Sequence, residues 1–225
     1  LAFLPLTPLW TYLYLKAMRQ APLSTTLPLM ATNPIFTLLI ASLLKGTMPS
    51  NGGMAGIFLI SLGIYVANLK TDKGSTLFTP FTTVLHNPGA QSMLAVAFLW
   101  SLGAIFSQWK VQGSNAWFST WTSAVVGLVT TSIVAWYSHA KINLKSLRKL
   151  QLSQWGMSGF YFLANLASSL ALQTAPAEYV HAIKRSSIIG SSAIGFIWFK
   201  EQATVLKITG LLVLGFGVAL ITLGA

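Results

Sequence analysis

Eight runs of about 17–25 mostly apolar residues, joined by mostly short turns, make up nearly all of this 225-residue sequence. A helix of that length crosses roughly 30 Å of hydrocarbon. In lipid every backbone N–H and C=O must be satisfied internally, so only helices or a closed barrel span it. Barrel strands would show polar–apolar alternation in segments of about ten residues, and no such pattern occurs. Charged residues make up 8% of the chain and acids number three. A water-facing surface needs roughly a quarter charged residues. The fold class is therefore an all-α integral membrane protein of about eight transmembrane helices. The spans are predicted at 1–18, 23–44, 53–69, 91–109, 115–137, 154–173, 178–199 and 205–223.

The net charge of +11 does not indicate a nucleic-acid partner. Its basic residues sit at helix ends and in short loops, where they meet anionic headgroups. Only Lys141, Lys145, Arg148 and Lys149 cluster, with no aromatic interleaving and no nucleic-acid module. No cysteine is present, which excludes disulfides, thiol catalysis and Cys-ligated metals. His86, His139 and His181 are too scattered for a metal site. HExxH, GxSxG, P-loop and paired intramembrane carboxylates are all lacking. No enzyme activity, cofactor or metal is expected; the expected partners are a small-molecule substrate and membrane lipid. The start at Leu1, without a charged leader region, reads as a cut through a longer chain.

A shift of 154 residues lays Ala21–Pro22 on Ala175–Pro176, Gly56 on Gly210 and Gly63 on Gly217. Ala17, Ile35 and Ile40 then fall on Ala171, Ile189 and Ile194 without a gap. Each copy reads as a helix, a tight Ala–Pro turn, a long helix, a short break and a glycine-marked helix. The second copy is preceded by two spans that the first lacks. If both repeats hold five helices, the first two are absent from this sequence. An odd number makes the repeats enter the membrane from opposite sides, an inverted-topology architecture common in secondary transporters. The domain division is then 1–69 for the last three helices of one repeat, 70–90 for a connection, and 91–225 for a complete second repeat.

The stretch Ala-Val-Ala-Phe-Leu-Trp-Ser-Leu at 95–102, Asn33–Pro34 in the second span, and YVHAIKRSSIIGSSAIGFIWFKE at 179–201 before a glycine-rich last helix resemble the drug/metabolite transporter superfamily, particularly its EamA-like ten-helix members. The resemblance implies a 5+5 inverted repeat, a central cavity, and movement of small organic solutes by alternating access. Family repeats often end their fourth helix in Glu; Glu201 fits, whereas the first repeat has Thr47 there. Pairing of Glu201 with Lys200 or Lys207 at the interface is its structural reading. Plastid phosphate translocators of the superfamily carry a similar Lys-Arg pair, matched by Lys184 and Arg185, and a Tyr one helix earlier, at the depth of Tyr161. Their first-repeat Lys is Met30 in this chain.

Lys184 and Arg185 lie about 9 Å inside a proposed span, counting 1.5 Å per residue. Charges there face a cavity or a partner, or snorkel to the headgroups. The nearest acid is Glu178, so two cations with at most one anion suggest a site for an anionic or zwitterionic solute. His181, Lys184, Ser187, Ser191 and Gly195 share a helix face, either lining a hydrated path or forming a close helix contact. Tyr161 and Asn165 are expected to add hydrogen bonds, and Asn33, beside the helix-bending Pro34, to line the cavity wall. The alternative from another class is a non-transporting polytopic scaffold or receptor-like subunit, in which both cations contact headgroups.

An integral, multi-pass location follows, in a cell's inner or plasma membrane or in an organelle. Span parity collects Arg19, Lys70, Lys73, Lys141, Lys145, Arg148, Lys149, Lys200 and Lys207 on one face, with Lys45 and Lys110 on the other. Positive-inside bias makes the first face cytoplasmic; the family topology makes it external.

Overall fold

The computed structural model describes residues 6–21, 23–46, 48–69, 78–137, 152–200 and 203–224. Glu201, Thr47 and the basic 141–149 cluster lie outside them. The described residues form helices α1 (Leu6–Gln20), α2 (Leu23–Leu29), α3 (Thr32–Lys45), α4 (Asn51–Asn68), α5 (Thr79–His86), α6 (Pro88–Gln112), α7 (Ala116–Tyr137), α8 (Leu152–Thr174), α9 (Ala177–Lys184), α10 (Ser187–Ile197) and α11 (Val205–Gly224). Among the described residues, five segments are long and apolar enough to cross a membrane: Thr26–Lys45, Asn51–Asn68, Pro88–Gln112, Ala116–Tyr137 and Val205–Leu223. The other three expected spans fall on α1, α8 and the α9–α10 pair.

Local chemistry sets several boundaries. Asn87 caps α6, its Oδ1 accepting from Gly89 N at 2.8 Å and Ala90 N at 3.2 Å. Pro88 fits the first turn, where a backbone N–H would have no helical partner. Ser50 caps α4 by accepting from Gly53 N at 3.0 Å. Gly46 ends α3 in the left-handed region, with φ of 66°. The connection at 70–90, expected to be irregular, contains α5.

Two spans expected to be continuous are each interrupted by a tightened turn. Pro34 has no N–H to offer the Met30 carbonyl, and Asn33 N bonds it instead at 3.1 Å, an i→i+3 contact. Ala31 N likewise bonds Pro28 O at 3.0 Å. In the other span Arg185 N bonds Ala182 O at 3.0 Å and Ser186 N bonds Ile183 O at 2.8 Å. Subtracting 154 from the Arg185–Ala182 bond gives the Ala31–Pro28 bond, so the two interruptions share a register.

Helices α4 and α11 pack at backbone-to-backbone distance. A Cβ on Gly56 would sit 2.7 Å from Gly217 O, and one on Gly217 would sit 2.8 Å from Gly56 O. A Cβ on Gly63 would sit 2.6 Å from Gly210 O and 2.5 Å from Leu214 N, while one on Gly210 would strike Ala67. These contacts come in pairs under the same shift: Gly56–Gly217 becomes Gly210–Gly63, Gly56–Ile221 becomes Gly210–Ala67, and Gly217–Ile60 becomes Gly63–Leu214. The chain numbers run in opposite senses, so the helices are antiparallel and related by an approximate two-fold axis. Ile57, Ile60, Ile64, Leu214 and Ile221 close around the seam with Leu38 and Ala182.

Helix α6 is the second organising element. Near its start, Gly89 lies against Ala21 in the first Ala–Pro turn. Near its end, Gln108 Nε2 donates to Ala175 O, and Gln108 Oε1 accepts from Ala177 N, both at 3.3 Å, gripping the second. Nineteen residues separate these two contacts, about 28 Å of helix and close to the hydrocarbon thickness.

Replacement of Gly56 or Gly217 by Val is expected to destabilise the protein by about 1–3 kcal/mol, because backbone blocks the added carbons on both sides. Gly127→Ala, which meets nothing within 4 Å, serves as the neutral control. Thermal unfolding in detergent checks the difference.

Candidate functional site

Asn33, 3% exposed, sits just after the interruption between α2 and α3. Its Nδ2 donates to Ala97 O at 2.9 Å and to Ser101 Oγ at 2.8 Å, both on α6. Those two bonds use both amide protons, so Oδ1 must point the other way. There it accepts from an Arg185 guanidinium nitrogen at 2.7 Å. Ser101 Oγ in turn lies 3.0 Å from Asn33 O and 2.8 Å from Ala97 O, and Thr37 Oγ1 donates to Asn33 O at 2.9 Å. Both amide protons and one acceptor site are thus used, and the amide's orientation is fixed by its partners. It holds Arg185, at one interruption, against the other interruption.

Lys184 is Arg185's neighbour in sequence and turns toward α8. Its Nζ lies 3.5 Å from Asn165 Oδ1, at the long limit of a hydrogen bond. Asn165 Nδ2 donates to Tyr161 O at 2.8 Å, one turn earlier. Tyr161 is 74% exposed and borders a cavity of about 440 Å³ among α1, α6, α7 and α8. Trp10, Ser107, Lys110 and Thr130 also line it. Lys110 Nζ donates to Ser119 O and Ser123 Oγ.

The structure therefore joins four of the seven residues singled out by the sequence into two bonded pairs, Arg185–Asn33 and Lys184–Asn165. Tyr161 belongs to the second pair through its backbone, not its hydroxyl. His181 lies one turn before Lys184 and Arg185, and its Nε2 is buried without a hydrogen-bond partner among the described residues. Ser187 is exposed at the first turn of α10. The proposed stripe of His181, Lys184, Ser187, Ser191 and Gly195 does not run along one helix, because the tightened turn at 185–186 divides it. Gly195 is buried.

Three features escaped the sequence reading. Ser101, which the sequence offered only as part of the 95–102 stretch, proves to be a direct partner of Asn33. Gln108 fixes the second Ala–Pro turn. Glu178, the nearest acid in sequence to the cationic pair, is engaged elsewhere: Lys45 Nζ lies 2.9 Å from Oε2 and 3.2 Å from Oε1. Span parity carried that signal, since Lys45 ends one span and Glu178 begins another on the same face. With Glu178 so occupied, no described carboxylate bonds Lys184 or Arg185.

An all-helical, multi-pass membrane protein whose glycine seam obeys an internal two-fold shift defines the class. The EamA-like transporter family matches residues 1–69 and 87–223, nearly the whole sequence, and the chain belongs to that family. A solved crystal structure of a protein at 16% identity superposes with a TM-score of 0.68, covering 95% of this chain and 72% of that one. At that identity the likeness speaks to the fold alone. No curated protein matches the sequence.

Lys45→Gln leaves the Glu178 carboxylate, 6% exposed, without its counter-ion. A loss of about 1–3 kcal/mol in stability is expected, less than for a fully buried pair because Lys45 itself is partly exposed. The double variant Lys45→Gln/Glu178→Gln recovers most of it. Denaturation of the three proteins side by side decides this; equal stabilities would show that the pair contributes nothing.

Proposed function

We propose that this protein is a secondary transporter, moving small organic anions or zwitterions across the membrane by alternating access. The observation that carries this reading is the placement of Arg185. Its guanidinium bridges the interruptions of two spans and spends one donor on a neutral amide, leaving four donors without a partner among the described residues. Lys184 stands beside it on another neutral amide. Two adjacent cations within a span are costly unless they meet an anion or water. A solute carboxylate or phosphate supplies that counter-charge, and a guanidinium fork matches it in two hydrogen bonds.

Each neighbouring group has a role in this scheme. Asn33 presents Arg185 and ties it to α6, so that bound charge acts on both repeats at once. Lys184 supplies a second positive centre, with Asn165 setting its direction and Tyr161 offering a hydroxyl toward the adjoining cavity. His181 Nε2, buried and unpartnered, accepts or donates one further bond to the solute or its water. Ser187 completes the rim. Tightened turns suit this task, because a few i→i+3 bonds convert to i→i+4 bonds at small cost as the helices rock. With no nucleotide-binding motif in the sequence, an ion gradient or solute exchange provides the coupling.

The test is counterflow by the full chain in liposomes, using a panel of anionic, zwitterionic and neutral metabolites. Saturable exchange of an anionic or zwitterionic solute is expected, falling about tenfold or more in Arg185→Ala and further in Lys184→Ala/Arg185→Ala, from the loss of charged hydrogen bonds. Exchange of neutral solutes that survives the double substitution would keep a transporter and remove this site. Correctly inserted protein that exchanges nothing on the panel would favour the scaffold reading.

A further inference from the structure

Helix α1 has two unlike faces. Leu13, Tyr14 and Ala17 pack inward against α2 and α6. The opposite stripe of Leu9, Tyr12, Lys16 and Arg19 faces a groove completed by Ile133 and Tyr137 near the end of α7, with a volume of about 540 Å³. Successive members of the stripe are three or four residues apart, so they stack along the helix axis. From Leu9 to Arg19 the rise is about 15 Å, or half the hydrocarbon thickness.

The groove is graded along that axis. Its deep part is apolar, with Leu9 and Ile133 both exposed. Tyr12 and Tyr137 stand higher, 58% and 76% exposed, as amphipathic rings do at headgroup level. Lys16 and Arg19 follow on the last turns of α1. Neither cation has a hydrogen-bond or ion-pair partner among the described residues, and no carboxylate lines the groove. This end of α1 also belongs to the face on which span parity gathers most of the basic residues.

We propose that the groove between α1 and α7 is a binding site for an anionic phospholipid. The phosphate lies on Lys16 and Arg19, the glycerol backbone lies between the two tyrosines, and the first half of an acyl chain runs down past Leu9 and Ile133. A free phosphate ester shares the headgroup chemistry and uses the two cations alone. The apolar lower half of the groove, continuous with the membrane interior, is what selects the lipid. Such a lipid bridges α1 to α7, and its negative charge pins the basic end of α1 to the headgroup layer.

Native mass spectrometry of the delipidated full chain tests this, after exposure to equal amounts of phosphatidylglycerol and phosphatidylcholine. Retention of phosphatidylglycerol is expected to exceed that of phosphatidylcholine by about tenfold, given two basic contacts. Lys16→Gln/Arg19→Gln brings the two lipids to parity, whereas Lys207→Gln, a cation at the start of α11, leaves the preference intact. Addition of sn-glycerol 3-phosphate, which carries the charge without acyl chains, does not displace the lipid. Equal retention of the two lipids by the unmodified chain, a preference untouched by the double substitution, an equal loss in Lys207→Gln, or displacement by glycerol phosphate would each overturn the site.

Discussion

Everything in this structure hangs on the glycine seam between α4 and α11. Lipid offers no hydrophobic drive to bring two apolar helices together, so close van der Waals contact and weak backbone interactions must do it. Glycines at 56, 63, 210 and 217 remove the side chains that would hold the backbones apart. Because the contacts of these four glycines are exchanged by one shift of 154 residues, the seam also sets the relation between the two copies of the helix–turn–helix–helix unit. Fixing α4 against α11 places the two interrupted spans on related paths, and their tightened turns come within reach of one another.

Charge then acts where packing leaves an opening. The described acids are so few that each cation's surroundings are readily traced. Lys45 and Glu178 neutralise each other at one face of the membrane. Among the described residues Arg185 and Lys184 bond amides, Asn33 and Asn165. This division gives the molecule a closed polar contact at one end of α9 and a positive pair without a described carboxylate at the other, six to seven residues or about 10 Å apart along one short helix and its following turn. The pairing at the start of α9 has no counterpart in the first copy, where the shift places Ser24 and Phe199 at the corresponding positions. The two ends of α6 are therefore anchored by different chemistry, apolar around Ala21 and Gly89, polar around Ala175, Gln108 and Glu178.

The glycine and Ala–Pro register was legible in the sequence because small residues and prolines leave a mark wherever backbones approach or turn. The transmembrane class was legible for a simpler reason: apolar runs of that length, with so few acids between them, cannot make a surface that water will cover. Arg185 and Asn33 could be named individually, yet not paired, as 152 residues separate them and an amide's partners depend on three-dimensional placement. The interruption at Pro34 was half visible: proline announces a freed carbonyl, but the matching turn at Arg185–Ser186 contains no proline or glycine. Its i→i+3 bonds follow from tertiary placement that no local propensity encodes. The Glu178–Lys45 pair illustrates the same point, because Glu178 is the acid nearest Lys184 in sequence while the topology sets it against Lys45.

The central claim is that a site between the two repeats is reached from each side of the membrane in turn. The chain has no cysteine, which makes a single reporter thiol unambiguous. Ser187, exposed beside the cationic pair, is the position to use. In the full-length Ser187→Cys protein, with any cysteine outside these 225 residues replaced, reconstituted in one orientation, a membrane-impermeant maleimide would be added from either face. Labelling from both faces, with reaction from one abolishing reaction from the other, is the result expected of alternating access. Labelling confined to one face, or absent from both, would contradict it.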